Sequence, residues 1–155
     1  MCAALVRTRT AIESCEAHLV NTCSGGTDIE SYLTQHILVL FCAEMQNEIY
    51  KILEERSTKS GDPDISVYVP ASGKRILRSV AKVDIAKFFG MFGENVKTKI
   101  NSVLDDAKIT VYSNAVDNRH DVAHKHGVNV TFSELKNAVD AGDSLLAAIR
   151  AALSL

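Results

Sequence analysis

Apolar residues return along this chain at intervals of three and four, and that spacing predicts helices from end to end. The first stretch, about Ala3 to Thr22, places Leu5, Ile12 and Leu19 along one side and runs into Ser24-Gly25-Gly26, which stops a helix and turns the chain. Thr27-Asp28-Ile29-Glu30 then has the form of a capping box, a hydroxyl at the N-cap with a carboxylate three residues on. The helix it opens, from Asp28 to about Arg56, carries Leu33, Ile37, Leu40, Phe41, Met45, Ile49, Ile52 and Leu53, a wide stripe suited to the centre of a bundle.

The pattern breaks between Thr58 and Gly73. Ser60-Gly61-Asp62-Pro63-Asp64 and Pro70-Ala71-Ser72-Gly73 predict a long loop, with a brief extended piece at 65–69, and a loop of this length in a small bundle is often functional. A short helical segment follows through Ile76, Leu77, Val80, Val83 and Ile85 to Phe88-Phe89. Gly90 and Gly93 bracket a turn that buries aromatics, and a further helix runs from Glu94 to about Leu104. Ile109, Tyr112, Val116 and Ala123 form one stripe on a helix from Ala107 to His124, and Arg119 falls on the same stripe. Gly127 supplies a stop. Thr131-Phe132-Ser133-Glu134 is a second capping box, opening a last helix with Leu135, Val139, Leu146, Ile149 and Leu153 on one side. The expectation is an all-α protein, an up-and-down bundle of four to five helices forming a single domain over residues 1–155, with no internal repeat or low-complexity tract.

Composition changes this picture little. A chain of 155 residues can bury one core without staples. The longest apolar run, Ile37 to Ala43, is far short of the roughly 20 residues that cross a membrane. No basic leader with an apolar core stands at the N-terminus, so a soluble, cytoplasmic protein without membrane association is expected. Cys2, Cys15, Cys23 and Cys42 make no CxxC pair and read as structural thiols of a reducing compartment, on helical, partly buried segments. The net charge of −2 gives no overall footprint for nucleic acid. Locally, residues 73–99 carry seven cations against Asp84 and Glu94, and Lys74, Arg78 and Lys82 are spaced to share one helix face. With Arg75, these form either an RNA-facing stripe or an ordinary solvated face.

The chemistry concentrates in Asn118-Arg119-His120-Asp121-Val122-Ala123-His124-Lys125-His126-Gly127, which gathers an arginine and three of the five histidines at the end of a helix. Imidazole gives or takes a proton near neutral pH, and guanidinium stays charged and matches phosphate oxygens with paired hydrogen bonds. Few residue sets are better suited to acid/base work on a phosphodiester. An arginine among core-facing positions must be paired or sit at a cleft or interface, because an isolated buried charge costs several kcal/mol or about that.

These residues resemble a known family. Arg119-His120-Asp121-Val122-Ala123-His124 matches the signature of the HEPN superfamily: Arg, then a polar residue, a spacer and His. The wider run from Tyr112 through Gly127 to Thr131, Glu134 and Leu135 is similar to its RiboL-PSP-type branch. The resemblance is specific from Arg119 to Gly127 and architectural elsewhere. It implies four or five helices, a homodimer with two motifs facing across a cleft, and a metal-independent endoribonuclease that needs no cofactor. A role as toxin or defence effector, with a separate antitoxin or partner protein, is implied as well. On that basis His124 is the acid/base, Arg119 stabilises phosphoryl charge and His120 supports them. Some toxin-type members carry a modifiable tyrosine where this chain has His126.

Other readings stand beside this one. The domain is alternatively a non-catalytic HEPN module that binds RNA or a protein. The histidines are alternatively capping or solvated residues, with Arg119 tying the bundle together; in the catalytic reading His126 and Asn118 are supporting candidates. Glu44, directly after the apolar run, is a candidate buried partner for Arg119 or a catalytic carboxylate. A metal site at His120, His124 and His126 is a third reading, set aside because Asp121 stands where a zinc-protease motif has glutamate and the cysteines are remote. There is no P-loop, GxGxxG or GxSxG motif.

Overall fold

The computed structural model describes residues 4–124 and 130–155, and for 120–124 the backbone alone. Among these residues the chain forms seven α-helices: α1 (Val6–Thr22), α2 (Asp28–Thr58), α3 (Pro63–Ile76), α4 (Lys82–Phe89), α5 (Glu94–Ser102), α6 (Asp106–His124) and α7 (Phe132–Ala152). A 3-10 turn at Gly90–Phe92 joins α4 to α5. The protein is all-α, as the periodicity predicts, with more helices than four or five.

The 31-residue α2 is the axis of the fold. It spans about 46 Å at 1.5 Å per residue and packs against α1, α3, α6 and α7. Its buried positions, among them Ile37, Leu38, Phe41, Cys42, Met45, Ile49, Ile52 and Leu53, go well round the helix rather than along one edge. That is the pattern of a helix covered on several sides. The α7 crossing is close because position 142 is glycine: a Cβ there would lie 2.9 Å from Phe41 Cε2 and 3.1 Å from Met45 Sδ. The aliphatic side of α7, with Leu135, Val139, Leu145, Leu146 and Ile149 buried, faces this core.

Three expectations need correction. The predicted loop over 58–73 is mostly α3. Asp62 caps it by accepting from the Asp64 and Ile65 N–H groups at 2.8 and 3.2 Å, and Pro63 occupies the first turn, where a missing N–H costs nothing. Pro70 sits inside α3 and cannot donate to the Ser66 carbonyl, which accepts instead from Ser57 Oγ of α2 at 3.3 Å. Gly73 completes the fit, since a Cβ there would fall 2.5 Å from Leu53 Cδ1.

The second correction follows from where α3 ends. Residues 77–81 are not helical, and α4 begins only at Lys82. Two tyrosine hydroxyls hold this connection: Tyr50 donates to the Leu77 carbonyl at 2.9 Å and Tyr112 to the Val80 carbonyl at 2.6 Å. Phe88 and Phe89 are buried beyond it, while Phe92 of the following turn is 39% exposed.

The third concerns the capping boxes. Thr131 and Glu134 form one in full: Thr131 Oγ1 accepts from Glu134 N at 3.2 Å, and Glu134 Oε2 accepts from Thr131 N at 2.8 Å. Thr27 and Glu30 do not. The Thr27 hydroxyl donates to the Ser24 carbonyl at 2.6 Å, and Glu30 reaches past it to accept from Gly26 N, also at 2.6 Å. Of the cysteines, Cys42 is buried and Cys15 half-buried as expected, but Cys23 is exposed in a left-handed turn after α1.

Candidate functional site

Helix α6 carries the candidate chemistry. Its start is fixed by Asp105, whose carboxylate accepts from Lys108 N at 2.8 Å, and these backbone donors hold the carboxyl below its ordinary pKa. Its middle is anchored by Tyr112, Ala115 and Val116. Tyr112 meets the edge of Phe41 at 6.0 Å between ring centres, and burial pushes its phenol up in pKa.

Seven residues after Tyr112, Arg119 stands on the same stripe at the point where it leaves the core, and it is half-buried. Among the described residues no carboxylate pairs with it. Its neighbour is Cys42 of α2: burial pushes this thiol up to about 11, and the Arg119 charge pulls the other way. Asn118, also half-buried, donates from Nδ2 to the Asn114 carbonyl at 2.7 Å. It lines a cavity of about 270 Å³ between α6 and the start of α7, with Asn114, Val130 and Glu134.

The side chains of His120 and His124, and all of His126 and Gly127, lie outside the described residues. The backbone of α6 is helical through His124. On a regular helix, backbone positions 119 and 124 are about 140° apart and positions 120 and 124 about 40° apart.

Glu44 is not the partner of Arg119. Its carboxylate accepts from Arg7 N at 2.9 Å, Thr8 N at 2.7 Å and Thr8 Oγ1 at 2.6 Å, so it caps the N-terminus of α1 from outside that helix. The reason lies in the sequence of α1 itself. Leu5 occupies the N-cap position and has no side-chain acceptor, so the first N–H groups must find one elsewhere. An uncapped helix start was the signal that could have assigned Glu44.

The basic residues are not one helical stripe. Lys74 and Arg75 belong to the last turn of α3, Arg78 to the connection, and Lys82 to the start of α4. Lys74 pairs with Glu54 at 3.0 Å, and Lys82 donates to the Asn101 carbonyl at 3.2 Å. Among the described residues, no three His, Cys, Asp or Glu side chains gather as metal ligands, and no helix is long and apolar enough to cross a membrane.

Comparison with known proteins adds no relative: no family model, no curated protein and no solved structure matches the chain.

Proposed function

We propose that this protein is a metal-independent endoribonuclease of the HEPN kind, working through Arg119 and His124 with His120 in support. The observation that carries the reading is Arg119: a half-buried cation at the end of an apolar stripe, with no carboxylate spent on it among the described residues, followed by His120 and His124 on the same helix. A cation held this way is available to an anionic group from outside the chain.

RNA brings its own nucleophile. A base removes the 2′-OH proton, the 2′-oxygen bonds to phosphorus, the bond from phosphorus to the 5′-oxygen breaks, and an acid protonates that oxygen. The products are a 2′,3′-cyclic phosphate and a 5′-hydroxyl. His124 fits the proton transfers, and Arg119 fits the charge that grows on the non-bridging oxygens. The second proton transfer falls to His120 or to the His124 of a second copy, so a homodimer that brings two α6 helices together belongs to the proposal. A role as toxin or defence effector in the cytoplasm, restrained by a separate partner protein, follows from the resemblance.

Labelled single-stranded and structured RNA, incubated with the protein in EDTA beside a His124→Ala control, tests this. Cleavage to cyclic phosphate ends that the variant loses is the expected result. RNA binding without cleavage would instead make the domain a non-catalytic module.

A further inference from the structure

A second feature lies on the other side of Tyr112, where residues 77–81 connect α3 to α4. This connection and α4 enclose a groove of about 340 Å³. Leu77 and Phe88, both buried, form its floor, and Ile76 and Met91 stand on its rim 58% and 66% exposed. Arg78 and Lys87 also line it, with Arg75 close by in the chain. Among the described residues none of these three pairs with a carboxylate. Asp84 is the carboxylate of the lining, and residues 73–99 as a whole hold seven cations against two acids in a chain whose net charge is −2.

The groove wall is built for an extended guest. Leu77, which lines it, has extended backbone, with ψ of 94°. The carbonyls of Leu77 and Val80 are taken by Tyr50 and Tyr112, which fix the wall to α2 and α6. Between them the main-chain N–H and C=O groups of Arg78 and Ser79 make no hydrogen bond among the described residues. Main-chain donors and acceptors left open at a groove wall can pair with a second chain.

We infer that this groove binds an extended acidic segment of another protein, placing one apolar side chain on the Leu77–Phe88 floor and flanking carboxylates on Arg78 and Lys87. Charge complementarity selects the acid. The apolar contribution selects a peptide over RNA: Ile76 and Met91 suit an aliphatic or aromatic side chain, whereas bases stack on exposed rings and Phe88 is buried.

The test is selection of a displayed random-peptide library on the protein, followed by fluorescence anisotropy of the enriched peptides. Expected are peptides with Asp or Glu on both sides of an apolar residue. Their affinity should fall about tenfold with Arg78→Glu/Lys87→Glu and about threefold with Met91→Ser, with much less effect from Lys99→Glu outside the groove. Thermal unfolding of each variant confirms that it is folded, and Met91→Ser probes the apolar rim without touching charge. Enrichment without an acidic pattern, or unchanged affinity in both groove variants, overturns the inference. So does an equal loss in Lys99→Glu, or a double variant that loses a labelled RNA oligonucleotide while keeping the peptides.

Discussion

Two ionisable residues stand on apolar stripes facing the middle of this bundle, Glu44 on α2 and Arg119 on α6, and the protein treats them oppositely. Glu44 is 7% exposed and its oxygens are consumed by three donors at the start of α1. Arg119 is half-buried, and no carboxylate among the described residues meets it. A buried charge with all its partners inside the chain is a structural part. A charge brought to the edge of the core without an opposing charge is the kind that meets a ligand.

Substitutions separate the two roles. The largest effect is expected on catalysis: Arg119→Ala should lower RNA cleavage about a hundredfold or more, as loss of a charge-stabilising donor does, while thermal unfolding changes little. Glu44→Ala should do the reverse. It strands the first N–H groups of α1 and the Thr8 hydroxyl, and chemical denaturation should read a loss of about 3 kcal/mol with cleavage per folded molecule unchanged. Next comes Gly142→Ala, which sets a methyl against Phe41 and Met45 and should cost about 1–3 kcal/mol by the same measurement.

The helix starts sharpen the comparison further. Thr131→Ala removes a formed capping box and should cost about 1 kcal/mol, whereas Thr27→Ala, whose hydroxyl caps nothing in α2, should cost less. The pH dependence has a definite sign. The Thr131 backbone and hydroxyl hold the Glu134 carboxyl below its ordinary pKa. Its contribution is therefore present above the unfolded-state pKa and is lost as pH falls through the lower folded value. Thr131→Ala keeps the backbone donor and removes the hydroxyl, so it should lessen that acid-side loss of stability without abolishing it.

Much of the fold was legible because α1, α2, α6 and α7 carry long apolar stripes whose period leaves no choice of element. Helix α3 was hidden because Ser, Gly and Pro read as loop one residue at a time. What overrides them is tertiary: Gly73 is needed where α3 meets Leu53, and Ser57 supplies the donor that Pro70 lacks. The Asp62-Pro63 start was a helix signal that the surrounding turn residues outweighed. At the site, Arg119 stood out as a cation on a core stripe. The role of Glu44 did not, since it depends on a helix start 37 residues away in the chain. Nor did the break of α3 and α4 at Leu77, which scatters Lys74, Arg78 and Lys82 over three elements; it rests on two tyrosine hydroxyls from distant helices.

The most direct measurement compares Arg119→Ala, Glu44→Ala and the parent in one RNA cleavage assay in EDTA, with rates normalised to folded protein. The division of roles predicts that Glu44→Ala cleaves like the parent and Arg119→Ala at least about a hundredfold more slowly. Equal cleavage by folded Arg119→Ala and parent would contradict it.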